Sequence, residues 1–236
     1  MRPTHFKHQL ISKVLSTAVK LYLRSQISQI ENLRVKIVGK NKQILQGYIP
    51  QVLLSCDRGV YRGLYLSQIE LDGSNIAFNL PQVIKKKPLK LLEPVLVEIR
   101  LNLSEDNLQA SLDSPLFQSG LNDLWQMILP TQTNTGLKPN NPTVKWHRIA
   151  IAQGRLNLTG IAKNSVEKTE ELYLSTKLDL ADERTLLLSA LNITGKSFSQ
   201  DEIQELKIDL GTDITFKELI VESQHIFCCG TIRINN

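Results

Sequence analysis

Residues able to bind or transform a ligand are sparse in this chain, and their spacing excludes most catalytic chemistry. His5 and His8 stand one helical turn apart, which is a workable separation for two metal ligands, but no third ligand accompanies them. Cys56, Cys228 and Cys229 are odd in number and contain no C-x-x-C pair, so neither a disulfide scaffold nor a structural zinc site is expected. Cys228 and Cys229 would alternate faces on a strand, leaving at most one toward a core. Glu105 and Asp106 directly follow Ser104, a position where acidic side chains favour the positive end of a helix; capping accounts for them without acid–base work. His147 and His225 are isolated. There is no nucleophile elbow, P-loop, dinucleotide fingerprint or zinc-type histidine spacing. The expectation is a protein that is not an enzyme, with no metal, no cofactor and no small polar substrate.

What remains is positive charge beside apolar surface. The first thirty residues read as one long amphipathic helix. At about 100° per residue, Leu10, Leu21, Val14, Ala18, Ile11, Tyr22, Leu15 and Val19 follow one another around roughly half of its cylinder. Lys13, Lys20 and Arg24 stack on a narrow line outside that arc. A helix on a globular domain usually shows an apolar stripe of about 100°, so this one calls for a curved cover or a lipid. Arg2, Lys7, Lys13, Lys20 and Arg24 all precede the first acidic residue, Glu31, in a chain whose net charge is +5. Lys85, Lys86, Lys87 and Lys90 cluster around Pro88, next to Val83, Ile84 and Leu89. Such clusters attract phosphate in anionic lipid headgroups or in nucleic acid.

The elements that position these residues follow from periodicity. At 236 residues and 42% hydrophobic content the chain can bury a sizeable core, as one large domain or two small ones. Beyond Asn32 the apolar period becomes twofold. Strands are expected at Leu33–Ile37, Ile44–Ile49, Gln51–Ser55 and Val60–Leu71, with turns at Gly39–Asn41, Asp57–Gly59 and Asp72–Gly73 and a bulge near Ser67. Asn75–Leu80 is a further short strand. Val95, Val97, Ile99, Leu101 and Leu103 then occupy every second position of the clearest strand. Ser104 caps a short helix bearing Leu108 and Leu112, and Ser114-Pro115 opens another with Leu116, Leu121, Leu124, Trp125 and Ile128 on one side. Residues 131–143 are either a mobile loop or the join between two halves. Six alternating segments follow, Val144–Ala152, Arg155–Ala162, Leu172–Leu180, Leu186–Ile193, Leu206–Leu210 and Ile226–Ile234. Trp125 and Trp146 read as core anchors. No run approaches the roughly 20 apolar residues of a membrane span, and the N-terminal segment is a poor signal peptide.

The run from Ser104 through Glu105, Asp106, Asn107, Leu108, Gln109, Ala110, Ser111, Leu112, Asp113 and Ser114 to Pro115 and Leu116 resembles the strand-to-helix junction of the LmeA-like phospholipid-binding family, especially its cyanobacterial branch. The flanking pieces agree: the leading helix, Gly47-Tyr48-Ile49-Pro50, Gly63 to Ile69, Lys87-Pro88-Leu89 and Gly154-Arg155-Leu156. The resemblance implies a fold related to tubular lipid-binding proteins, in which a curved antiparallel sheet wraps a long helix and leaves an apolar tunnel.

The fold expected is therefore α+β: a long N-terminal amphipathic helix wrapped by a strongly curved antiparallel sheet, with a second helical segment after the central strand. Residues 1–236 form a single elongated domain. It would bind or carry phospholipid or another lipid in an internal tunnel, cytoplasmic and peripheral to an anionic membrane surface. Leu10, Val14, Ala18, Leu21, Val97, Ile99 and Leu101 would line the cavity. Lys13, Lys20, Arg24, Lys85, Lys86 and Lys87 would meet membrane or headgroups. The alternative is a basic nucleic-acid or protein interaction module without lipid. The scarcity of aromatics near the lysines speaks against single-strand recognition, and no nucleic acid is expected.

Overall fold

The computed structural model describes residues 4–129, 143–152, 154–163, 169–195 and 203–235, with side chains outside 4–14 and 203–204. The N-terminal helix α1 (Thr4–Gln26) leads to β1 (Ser28–Glu31), β2 (Arg34–Val38), the short helix α2 (Asn41–Leu45), β3 (Tyr48–Tyr61) and β4 (Leu64–Ala77). Then come α3 (Leu80–Ile84), β5 (Val95–Ser104), α4 (Glu105–Ser111) and α5 (Pro115–Ile128). The second half is β6 (Thr143–Ala152), β7 (Arg155–Lys163), β8 (Thr169–Asp182), β9 (Thr185–Thr194), β10 (Ile203–Asp209), β11 (Ile214–Glu222) and β12 (His225–Ile234). The class is α+β, built mostly of antiparallel strands. Of residues 131–143, the expected loop or junction, 131–142 lie outside the described residues and Thr143 begins β6.

The strands form two sheets. The first runs β1-β3-β4-β5-β12-β11 with β2 also paired to β3, and the second is the sequential five-stranded sheet β10-β9-β8-β7-β6. β5 therefore has neighbours from both ends of the chain: Gly73 on β4 opposes Val97, and Ile232 on β12 opposes it from the other side.

The early strands depart from the expected boundaries. Ile44 and Leu45 belong to α2 rather than to a returning strand, and β3 continues through Asp57–Gly59. The hairpin turn lies at Arg62 and Gly63, which both have positive φ, 50° and 85°. Two successive left-handed residues match the twist of paired strands, so this turn outcompetes the Asp57–Gly59 signal. Gly59 is instead a place of close packing, where a Cβ would lie 2.9 Å from Ile27 Cγ2. Asp72 and Gly73 are likewise inside β4, and Leu80 starts α3. The bulge near Ser67 is present: the β4–β5 register shifts between Ser67 and Glu70, and Gln68 has φ 47°.

The apolar faces bury two cores. One lies under α1, where Leu15, Val19 and Leu23 pack with Ile49, Val52, Phe78, Leu80, Val83, Val95 and Val97. The other joins α4 and α5 to the five-stranded sheet through Leu108, Leu112, Leu121, Trp125, Ile128, Trp146, Leu158, Leu174 and Leu191. Both lie on the face of β5 that carries its odd-numbered residues, for Val95 and Val97 enter the first while Leu103 packs against the second.

The Ser104–Leu116 run is the bracket that ties the halves together. Ser104 Oγ accepts from Asn107 N at 3.2 Å, and Ser114 Oγ accepts from Phe117 N at 3.3 Å. β6 is an edge strand with unpaired backbone groups. Glu105 Oε2 accepts from Ile151 N at 2.7 Å, and Gln109 Oε1 accepts from Ile149 N at 2.9 Å while its Nε2 donates to His147 O at 2.9 Å. Gln118 Nε2 donates to Trp146 O at 2.9 Å. The capping acids and glutamines thus close the edge. Gln109→Ala leaves two backbone groups without these partners and is expected to lower unfolding free energy by about 1–3 kcal/mol, read from urea denaturation; an unchanged midpoint would contradict the bracket.

Candidate functional site

The apolar row that runs from one core to the other has a break. β5 and β12 pair Val95 with Ile234, Val97 with Ile232, Ile99 with Gly230, Leu101 with Cys228, and Leu103 with Ile226. The pairs at both ends belong to the cores, whereas Ile99 and Leu101 in the middle are only half-buried and pack into neither. Leu54 and Leu71 continue the Ile99 row across β3 and β4 and are also half-buried. Cys56 and Ile69, opposite each other on β3 and β4, are 6% and 3% exposed. Between these strands and Leu23, Ile27, Ile30 and Leu33 lies a void of about 10 Å³, room for little more than one water. The seam is apolar, with a thiol from Cys228 on it.

The opposite face of the same sheet is polar. Register and alternation put Arg34, Lys36, Glu70, Asp72, Glu98 and Arg100 there, along an open hollow of about 430 Å³. Two ion pairs cross it: Lys217 Nζ lies 2.9 Å from Glu98 Oε1, and Arg100 Nη1 lies 3.5 Å from Glu70 Oε2. The Lys217 hydrogen bond and charge hold the Glu98 carboxyl below its usual range. Val35, Leu53, Leu54, Leu71, Ile99 and Cys229 also border this hollow, so its lining is mixed, with charged side chains set among apolar atoms.

The sequence-derived lining residues divide. Ile99 and Leu101 meet at the seam; Val97, 6% exposed, is packed into the core under α1. Ala18 is half-buried against that core. Leu21 is 62% exposed, against the expectation that it lines the interior. The reason is angular: the buried stripe of α1 is Leu15, Val19 and Leu23, and Leu21 lies about 200° around the helix from Val19. Among the described side chains the covered stripe therefore sits toward one edge of the apolar arc and leaves Leu21 uncovered. The side chains of Leu10, Lys13 and Val14 are outside the described residues. Lys20 and Arg24 are exposed on α1, and Lys85, Lys86 and Lys87 are exposed in the connection from α3 to β5, where Lys86 has φ 59°.

Sequence reading put Leu54, Leu71 and Cys228 on strands but not beside Ile99 and Leu101, because which strands flank β5 is set by distant pairing; Leu54 and Leu71 border the seam while packing against the core under α1. The thiol of Cys228 is 9% exposed, and desolvation, aided by Cys229, pushes its pKa up to about 11. A raised thiol pKa adds stability that is complete below the ordinary value near 9 and lost as pH rises through 11. Stability is therefore expected to fall between pH 9 and 11, and Cys228→Ala to flatten that fall in urea titrations; an equally steep fall in the variant would remove this origin. The described residues contain no group of three or more histidine, cysteine, aspartate or glutamate side chains arranged for a metal.

The model of the LmeA-like phospholipid-binding family matches residues 6–231, nearly the whole chain. No curated protein and no solved structure matches it.

Proposed function

We propose that this chain, which belongs to the LmeA-like phospholipid-binding family, holds the acyl chains of a phospholipid without transforming them and docks peripherally on an anionic membrane. In this reading α1 is a long amphipathic helix around which the larger sheet curves as a tubular lipid-binding fold. The seam between the two cores is closed here to a void of about 10 Å³, so in this reading it parts along α1 to form the tunnel that takes the chains. The observation that carries it is the pair Ile99 and Leu101, apolar and half-buried on the core-facing side of β5 yet outside both cores. A helix of 23 residues is about 35 Å long, whereas one leaflet of hydrocarbon is about 15 Å, half of a ~30 Å core. An acyl chain is therefore shorter than the helix it would lie along once the seam has parted. Each buried CH₂ contributes about 0.8 kcal/mol, so two chains are held without a specific headgroup contact.

The exposed Leu21 beside Lys20 and Arg24, together with Lys85, Lys86 and Lys87, supports peripheral contact with a membrane. Among the described residues no helix is long and apolar enough to cross a membrane. The reading is tested by native mass spectrometry of purified protein and by uptake of a fluorescent phospholipid. Bound phospholipid is expected, and Ile99→Asp with Leu101→Asp is expected to abolish uptake while leaving a cooperative melt. Absence of lipid in the wild type, or salt-sensitive binding to DNA or RNA in its place, would overturn it.

A further inference from the structure

One end of the larger sheet collects the connections through α2 and α3 and the end of β12. β2 ends there, β3 begins after α2, β4 ends before α3, β5 begins, and β12 finishes beside it. These connections are tied to one another: Phe78 N donates to Gly47 O at 2.9 Å, Leu92 N to Ala77 O at 2.9 Å, and Lys87 N to Gln82 O at 2.9 Å. Asn79 holds the lysine-bearing loop from both sides, accepting from Lys90 N at 2.8 Å and donating to Pro88 O at 3.1 Å. Val83, Leu89 and Leu91 point into the core and are 3%, 7% and 7% exposed.

On this braced loop the intervening apolar residues point outward. Ile84 and Leu92 are each 59% exposed, Leu96 at the start of β5 is 57% exposed, and Leu45 at the end of α2 is 49% exposed. The same connections carry Lys40, Lys42, Lys85, Lys86, Lys87 and Lys90, all exposed, with Glu93 as their acidic neighbour. A mobile loop would expose apolar residues at random, whereas here backbone bonds hold the anchors inward and hold Ile84 and Leu92 outward. Apolar side chains among lysines match a membrane interface, where rings of hydrocarbon sit just beneath anionic phosphates.

We infer that this end of the sheet is the membrane-docking surface, with Ile84 and Leu92 entering the headgroup layer of an anionic bilayer and the lysines meeting its phosphates. The inference rests on the lipid-binding reading above and adds its geometry: the α2, α3 and β5 connections face the membrane, and the Trp125–Trp146 core, which packs at the Leu103 end of β5, lies away from it. α1 reaches this end through its contact with α3.

The test is flotation of full-length protein with phosphatidylcholine vesicles with and without phosphatidylglycerol. Wild type is expected to bind the anionic vesicles. Lys85→Ala, Lys86→Ala and Lys87→Ala together are expected to weaken that binding about a hundredfold, since each lysine near the surface is worth roughly fivefold. Ile84→Asp with Leu92→Asp is expected to weaken it at least about tenfold, because charge replaces inserted hydrocarbon. Ile161→Asp is the control: its residue is 44% exposed on the second sheet and the change should leave binding intact. All variants sit at exposed positions and should keep the wild-type melt and the co-purified lipid. Unchanged vesicle binding in both rim variants, or an equal loss in the control, overturns the inference. So does a dimer, seen by light scattering, that the rim substitutions dissociate while vesicle binding persists, because a second copy would then be the occupant. Absence of co-purified lipid with rim-dependent vesicle binding would overturn the carriage reading alone.

Discussion

Gly230→Ala is expected to lower the unfolding free energy by at least about 3 kcal/mol, a large share of the 5–15 kcal/mol that holds a typical domain. β11 bulges opposite this glycine, where its register with β12 shifts between Phe216 and Glu218. The bulge brings Thr215 O to 2.1 Å and Phe216 Cα to 3.0 Å from where a Cβ would stand. Both obstacles are backbone, so no rotamer relieves them and the two strands must separate. Gly230 also opposes Ile99 on β5, so the disturbance enters the seam as well as the sheet edge. The companion is Gly120→Ala in α5, which meets nothing within 4 Å and is expected to stabilise by about 0.5–1 kcal/mol through helix propensity. Urea denaturation of the two variants should move the midpoint in opposite directions. A Gly230→Ala protein melting with the wild type would show that β11 and β12 do not pair in this register.

Trp125→Ala is expected to cost about 3–5 kcal/mol and to remove most of the near-ultraviolet dichroism of the folded protein. Trp125 is 0% exposed and Trp146 2%, with ring centroids 6.3 Å apart and planes at 78°. That edge-to-face contact joins α5 to β6, so a cavity there loosens helix from sheet as well as forfeiting buried area. Trp146→Phe is expected to be far milder, because Trp146 Nε1 is buried with no hydrogen-bond partner among the described residues and its removal relieves a desolvated donor. If Trp125→Ala and Trp146→Phe lowered stability equally, the core would not be organised around the Trp125 ring.

Where alternation was strict, the sequence was read correctly to within a few residues. β5, α4 and α5 with their caps, and β6 through β9 lie where period and capping chemistry put them, because each depends on residues close in sequence. The N-terminal hairpin was misread because Asp57–Gly59 and Asp72–Gly73 look like turns. There glycine serves close packing against Ile27 and Val97, a reason that exists only once those residues have folded nearby. β1 and β11 were missed, the first being four residues long and mostly exposed, the second losing its alternation at the Phe216–Glu218 bulge.

By itself, then, the sequence determined the α+β class, the helix caps, the apolar side of β5, the placement of the basic clusters and the family, all of them local or compositional properties. Only the tertiary structure decided that β12 returns from the end of the chain to pair with β5, that two cores form in place of one, and that Ile99 and Leu101 fall between them. It also decided which side of α1 is covered, leaving Leu21 outside, and which apolar residues of the α2, α3 and β5 connections face outward among lysines. Those outcomes depend on which distant strands meet. Alternation tells a strand which face to bury, but nothing in its own residues says which neighbour will bury it.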